Sequence, residues 1–509
     1  MKRILVFALI VFGWVSGCGT GNNGGGGQVT GPPNALDGQY AFVLSGYDST
    51  GAPTGVAGSV TADGRGHITS GSVDVNDGLV ISSSSSALSG SYTLDGNFRG
   101  IFTLTNTIGS VTHPLAFAFT LRSDGASGTL IGLDANGFFI QGTMQRQDPA
   151  AFSLSKLAGE FAFELDQNST DRFVGIGRFT LRLNGMSTNG FADFSKALTG
   201  VTRTDEPISF TLAAAGPSAS GRGTFSSSDS GGTASFVYYV VSSGTILALR
   251  TDGTAMTGVI SKQNLPFSAT TVDTAGAVFH LLGVGTTTNS PPIANIGAVG
   301  QLQVTNSTSA VLHWDTIDPF PVPATDSNST VTFDPTTGRG TITVASGFSN
   351  GLFDTAVFYL LDSGKGFILD TTAGPGNRAL AGSFLPQTGV GSFALSILSN
   401  NMILRREGVT PNGALPVDGL LSFAGNNTFT LTIDGTAPGH PDIVNQTTSG
   451  LRISSIDANT GRGILTFPPI PAPPCNPGLP CITLEGGEHV IYIIGTNQFV
   501  SIYDAVDPQ

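Results

Sequence analysis

Charged side chains are scarce in this chain. They make up 11% of its 509 residues and leave a net charge of −13 at neutral pH, where an ordinary globular protein has roughly a quarter of its residues charged. No basic surface is available to release counterions from a phosphate backbone, so a nucleic-acid partner is excluded. Cysteine is as rare, with three residues, which rules out a disulfide-dense scaffold. The six histidines, at 67, 113, 280, 313, 440 and 489, never fall at a metal-binding or zincin spacing. Helical periodicity is almost missing, and the one long apolar run, Ile4 to Val15, is too short to span a bilayer.

What the chain has instead is glycine, 70 residues of it, with abundant Ser and Thr, a mixture suited to short strands joined by tight turns. The turns repeat. Gly221-Arg222-Gly223 returns at Gly338-Arg339-Gly340 and Gly461-Arg462-Gly463, with a looser relative at Phe98-Arg99-Gly100, and the arginines are 123, 117 and 123 residues apart. Three further landmarks keep the same register. An opening glycine precedes alternating large residues at Gly38 (Tyr40, Phe42, Leu44), Gly159 (Phe161, Phe163, Leu165), Gly276 (Val278, His280, Leu282) and Gly391 (Phe393, Leu395, Ile397). An aromatic recurs in a later strand at Phe119, Tyr239, Tyr359 and Tyr492, and a closing Gly with Gln five residues on recurs at Gly142, Gly258 and Gly382. A period of about 120 residues in four markers means one β-rich unit written four times.

The units run over 36–147, 157–263, 276–387 and 390–509, the last lacking the closing segment. Within the first, turn signals at Asp48 to Gly51, Asp63 to Gly66, Asn76 to Gly78, Asp95 to Gly100, near Gly109, at Ser123 to Gly125 and at Asp134 to Gly137 separate eight short segments. The chain is therefore expected to be all-β, four tandem antiparallel meanders. Curling each into an up-and-down barrel protects both sheet edges, and a β-sandwich is the alternative. The opening Gly two residues before an inward aromatic resembles the first strand of lipocalin-type barrels, a resemblance that implies a hollow, ligand-holding interior lined by Tyr40, Phe42, Phe161 and Phe163. The same aromatics could equally fill the barrels. The third unit carries Pro- and Asn-rich stretches at Thr286 to Asn295 and Ile317 to Ser329, expected to be long loops, and Trp314.

The N-terminus gives the most specific signal. Lys2 and Arg3 precede the apolar run, which ends in Val15, Ser16, Gly17 and Cys18 and has the form of a secretory signal. This segment resembles the lipobox of bacterial lipoproteins. The resemblance implies removal of residues 1–17, a diacylglyceryl group on the Cys18 thiol, and membrane anchoring through acyl chains at ~0.8 kcal/mol per buried methylene. Gly19 after the cysteine points to the outer membrane or cell surface. Residues 18–35, rich in Gly and ending near Pro32 and Pro33, read as a flexible tether. Cys475 and Cys481, separated by five residues in an insertion of the fourth unit, are expected to form a loop-stapling disulfide worth about 2 kcal/mol.

Candidate chemistry is thin. Arg99, Arg222, Arg339 and Arg462 are expected to point into solvent from their hairpins, either as ordinary turns or as basic fingers at one rim that grip an anionic partner. Gly347-Phe348-Ser349-Asn350-Gly351 has a nucleophile-elbow spacing, but the strand expected after it is the wrong context. Asp74, Asn76, Asp77 and Gly78 approach a calcium loop but lack its distal Glu, and read as a polar turn. His280 reads as a core histidine. The remaining aspartates are accounted for by turn chemistry. The sequence thus implies no cofactor, no metal and no enzyme. It points to a structural, adhesive or interaction module of the cell envelope, with an apolar-ligand carrier second and a polysaccharide-acting enzyme third.

Overall fold

The computed structural model describes the chain outside residues 1–28, 33–34, 79–80, 85–87, 109–110, 134–136, 170, 200–201, 268–275, 288–289, 319, 346–352, 373–377, 407–415, 437–441, 470–486 and 504–509. Cys18, Cys475, Cys481 and the Gly347–Gly351 stretch lie outside the described residues. What is described is all-β, in four antiparallel sheets that form closed or nearly closed barrels.

The first barrel contains β1 (Asp37–Asp48), β2 (Pro53–Asp63), β3 (His67–Asn76), β4 (Ile81–Ser84), β5 (Ser89–Tyr92), β6 (Arg99–Ile108), β7 (Val111–Leu121), β8 (Ser127–Gly132) and β9 (Phe138–Arg146). It closes through β1–β9, β2–β3 and β3–β5 pairing, with β4 hung on β3. The second contains β10 (Gly159–Gln167), β11 (Phe173–Leu181), β12 (Ser187–Lys196), β13 (Thr202–Pro207), β14 (Ser209–Leu212), β15 (Arg222–Asp229), β16 (Gly232–Ser242), β17 (Thr245–Arg250) and β18 (Thr257–Lys262). Its seam is closed by isolated bonds, among them Ile208 N–H to the Gly190 carbonyl at 3.0 Å and Leu212 N–H to that of Gly185 at 2.8 Å.

The third is a closed barrel of β19 (Ala277–Thr287), β20 (Ser290–Asn306), β21 (Ser309–Asp318), β22 (Phe320–Phe333), β23 (Arg339–Val344), β24 (Thr355–Asp362), β25 (Lys365–Asp370) and β26 (Arg378–Pro386). The fourth is a seven-stranded sheet of β27 (Met402–Arg406), β28 (Val417–Gly425), β29 (Thr428–Gly435), β30 (Ile443–Ile456), β31 (Arg462–Phe467), β32 (Gly487–Gly495) and β33 (Gln498–Tyr503).

Five consecutive strand-one positions of the first barrel, Tyr40 to Leu44, are buried because the strand has two apolar faces there. Tyr40, Phe42 and Leu44 enter the barrel core, while Ala41 and Val43 pack outward against Val237, Tyr239 and Leu247 of the second barrel. The first two interiors are packed with aromatic rings in mutual contact. Phe42, Phe102 and Phe117 have ring centroids 5.0 to 6.3 Å apart, and Phe163, Phe179 and Phe210 lie 4.4 to 6.1 Å apart, separations at which aromatic pairs attract beyond simple burial. Trp314 joins the third core beside Phe353.

Three expectations are corrected by the register. In β19 the inward residues are Phe279 and Leu281; Val278 packs outward on the fourth barrel and His280 shares that outer face. An alternation of apolar and polar residues cannot mark the faces of a strand buried on both. The stretch holding Gly391, Phe393, Leu395 and Ile397 is no strand. It turns through a short 3-10 segment at Leu395–Ile397 and drops Phe393 and Leu398 into the fourth core, leaving β27 as the opening strand. In the other units the opening strand is held by two ladders, one of them to the closing strand; among the described residues of the fourth unit no closing strand supplies the second. The Pro- and Asn-rich stretches of the third unit are drawn into β20 and β22, where tight hairpins such as Thr287↔Ser290 and Asp318↔Phe320 give them ladder partners. Backbone pairing outweighs local turn preference there.

Candidate functional site at the barrel junctions

The repeating arginines do not stand in solvent. Arg222, Arg339 and Arg462 open β15, β23 and β31, and each reaches across to the preceding barrel. Arg222 of β15 donates from Nε and Nη2 to the two carboxylate oxygens of Asp74 on β3, both at 2.8 Å, and Tyr239 donates its hydroxyl to the same carboxylate at 2.5 Å. At the next junction Arg339 binds Asp193 at 3.1 and 2.8 Å with Tyr359 donating at 2.7 Å. At the third, Arg462 binds Asp315 at 2.9 and 2.7 Å with Tyr492 at 2.8 Å. Bidentate guanidinium–carboxylate pairing of this kind is both strong and direction-fixing.

All three aspartates are almost fully buried. Burial drives the ionisation of Tyr239 and Tyr359 far above the usual tyrosine range, and the adjoining carboxylate adds to it. Arg222 is held protonated chiefly by its hydrogen bonds to Asp74. For Arg339 desolvation works against the charge, and pairing with Asp193 more than offsets it. The triads sit beside apolar clusters, such as Ala162, Val174 and Ile176 against Val357, Phe367 and Leu369. With the carboxylate of each pair cut off from water, the pair is costly to break by halves.

The linkers pass through the same spot. Gln147, which follows the closing strand of the first barrel, donates from its side-chain amide to the carbonyls of Val240 at 2.5 Å and Ser220 at 3.2 Å. Gln263 does the same to Leu360 and Thr337, and Gln387 to Ile493 and Thr460. This explains both glycines of the turn. The first has φ near +73° at 221, 338 and 461, and a Cβ there would lie 2.6 to 3.2 Å from the incoming glutamine amide. The second does not have positive φ; at 223 and 340 it lies under an aromatic ring, so that a Cβ would be 2.3 or 2.1 Å from the ring of Tyr238 or Phe358, and at 463 a Cβ would be 2.6 Å from the Ser455 carbonyl oxygen. In the first barrel, where no linker arrives from a preceding unit, Phe98 occupies the first position at φ 62°.

The fourth barrel carries the same aspartate, Asp434 on β29, and its partner is Arg99 of the first barrel. The four units therefore close head to tail into a ring. Arg99 also donates to Asn445 at 2.6 Å. Equivalent strands meet at every junction: β2, β11, β20 and β28, with their neighbours, lie against β16–β17, β24–β25, β32–β33 and β7–β8. Closure is less apolar than the linked junctions. The register aligns Arg222 with Tyr239, Arg339 with Tyr359 and Arg462 with Tyr492, but Arg99 with Thr120, so Phe119 is not the counterpart of the three tyrosines. Opposite the junction aspartates stand Ala57, Ile176 and Val299, but opposite Asp434 stands Asp418, which accepts a hydrogen bond from Thr129. Burial pushes the Asp418 carboxyl up to about 7, against the pull of Thr129, and burial likewise raises Asp434 against the pull of Arg99.

Reading the sequence as turns missed the four aspartates. The available signal was a carboxylate inside a strand directly after an apolar residue, Val73-Asp74, Ala192-Asp193, Trp314-Asp315 and Ile433-Asp434, recurring at intervals of 119, 122 and 119 residues. Asp74 is thus a junction ligand and no part of a calcium loop, and Asn76 beside it donates across the junction to the Arg250 carbonyl at 2.8 Å.

No protein-family model and no curated protein sequence matches the chain. Among solved structures, a crystal structure of a double mutant of the vaccine antigen transferrin binding protein B from Haemophilus parasuis Hp5 aligns over 71% of this chain and 78% of that chain, at 9% identity and a TM-score of 0.20. At that score the alignment bears on neither fold nor function.

Proposed function

We propose that the protein is a non-enzymatic, lipid-anchored interaction scaffold of the cell envelope. In this reading the anchor is the acylated Cys18, the Gly-rich tether spaces the ring from the outer membrane or cell surface, and Cys475 and Cys481 staple the insertion of the fourth unit. The partners are envelope or extracellular glycans or proteins, met by loops that the ring holds in fixed relation, so that weak contacts add through multivalency. The observation that carries the reading over an apolar-ligand carrier is the filling of the barrels by their own side chains, with Phe42, Phe102, Phe117 and Phe119 occupying the first interior.

Two measurements test it together. Palmitate labelling in a bacterial host should mark the full chain and be lost in Cys18→Ser. Solvent extraction of natively purified residues 19–509, followed by mass spectrometry, should yield no stoichiometric small molecule. A recurrent one-to-one ligand would overturn the scaffold reading in favour of a carrier, and label retained by Cys18→Ser would remove the anchor.

A further inference from the structure

Three of the four junctions are tied by a linker whose glutamine threads the interface. The fourth, between β28–β29 and β6–β8, joins the two ends of the described chain without one. It uses the same faces, with polar groups in place of the apolar and aromatic ones. Thr120 stands at the tyrosine position and Asp418 at the position of Ala57, Ile176 and Val299. Thr129 replaces Leu247 and Phe367, as the shared alignment of Leu130, Ala248 and Ile368 with the closing-strand glycines requires. Arg99 grips its carboxylate through one terminal nitrogen, and among the described residues its Nε has no hydrogen-bond partner, whereas each linked arginine uses Nε and Nη2.

We propose that this fourth junction is a reversible latch that opens while the three linked junctions stay shut, with the carboxyl of Asp418 as its proton-sensitive element. One oxygen of Asp418 accepts from Thr129; the other is buried beside the Thr120 hydroxyl, which like Thr129 holds the carboxyl down against its burial. The charged groups around it are Asp434 on the neighbouring strand, Arg405 across the ladder on β27, and Arg99 on β6, with Asp95 acting on Asp434. Closing the ring buries Asp418 beside Asp434. The closed state therefore favours the protonated carboxyl, with its pKa raised from 3.8 to about 7. A raised carboxyl pKa means closure is fully stabilised below the open-state value and weakens as pH rises toward the closed-state value. One proton bound on closing changes the open-to-closed ratio by up to tenfold per pH unit across that window, and the dependence levels off above it.

Thiol accessibility in residues 19–509 reads this directly. Ala118, fully buried on β7, and Val237, fully buried on β16, occupy equivalent positions at the latch and at the first linked junction. Ala118→Cys and Val237→Cys are pulsed with a thiol reagent from pH 5 to 8, each rate divided by that of the same variant unfolded at the same pH, and the labelled peptide is identified by mass spectrometry. The normalised rate at position 118 should climb by up to tenfold per unit to about pH 7 and then flatten. At position 237 it should stay low and flat. Adding Asp418→Asn should abolish the climb. Equal, flat rates at both positions would overturn the latch, and a climb that survives Asp418→Asn would overturn the role of Asp418. Small-angle scattering of the unsubstituted chain supplies a second readout, with a radius of gyration larger at pH 8 than at pH 5; an unchanged radius would count against opening.

Discussion

Asp193 is the most informative residue to remove. It is fully buried and accepts two bonds from Arg339 and one from Tyr359 across the second junction. In Asp193→Ala a guanidinium and a buried phenol lose their acceptor, a loss of the kind that costs about 3–5 kcal/mol where both partners are shut off from water. Arg339 retains some exposure and can turn partly toward solvent, so the lower end, about 3 kcal/mol, is expected. The reporter is the Asn264 amide, which bonds the Leu361 carbonyl across this junction at 3.0 Å. At 1.4 kcal/mol per tenfold, hydrogen exchange of a peptide covering that amide should accelerate roughly a hundredfold or more. The Asp148 amide, which spans the first junction to Val241, should be unchanged because distant sites add independently. Asp193→Asn serves as a control, because it keeps an acceptor for the Asp205 amide, bonded at 3.0 Å, while removing the charge. The double variant Asp193→Leu with Arg339→Met should recover most of the loss, since replacing both partners of a buried pair is often near neutral. If the double variant exchanges as fast as the single, or the single exchanges like the parent, the ion pair does not hold the junction and the apolar cluster alone does.

Gly338→Ala places a Cβ 2.7 Å from the Phe267 ring and 2.9 Å from the Gln263 amide, at φ +72°; the strained backbone and the displaced linker should cost about 1–3 kcal/mol, read at the same Asn264 amide. No effect there would sink the account of the first glycine. Phe163→Ala opens a cavity among Phe179 and Phe210 and should destabilise the second barrel by about 3–5 kcal/mol, seen as a selective loss of exchange protection in β10–β18. A ligand-filled rather than side-chain-filled barrel would instead take up solvent with little loss.

Much of the architecture was legible in the chain. The glycines and aspartates that punctuate it at short intervals, and the recurrence of Gly-Arg-Gly at about 120 residues, specify hairpins and a fourfold repeat because tight turns demand particular residues wherever they occur. Faces were legible only where residue size told them apart. In β1 and β10 large aromatics on one side and small residues such as Ala41 and Ala162 on the other marked the core; in β19, with large apolar residues on both sides, the pattern gave the register one residue out. The arginine turns were visible as repeats, but their direction was not, since a hairpin arginine in solvent and one paired across a junction have the same local sequence.

The sequence by itself determines strands, turns and period, because these follow from backbone sterics and side-chain spacing within a few residues. Only the tertiary structure decides that Asp74, Asp193, Asp315 and Asp434 meet arginines 146 to 148 residues downstream, or 335 upstream at the ring's closure. Such pairs are chosen by which barrel faces come together, and burial, rather than local pattern, gives the charges their meaning.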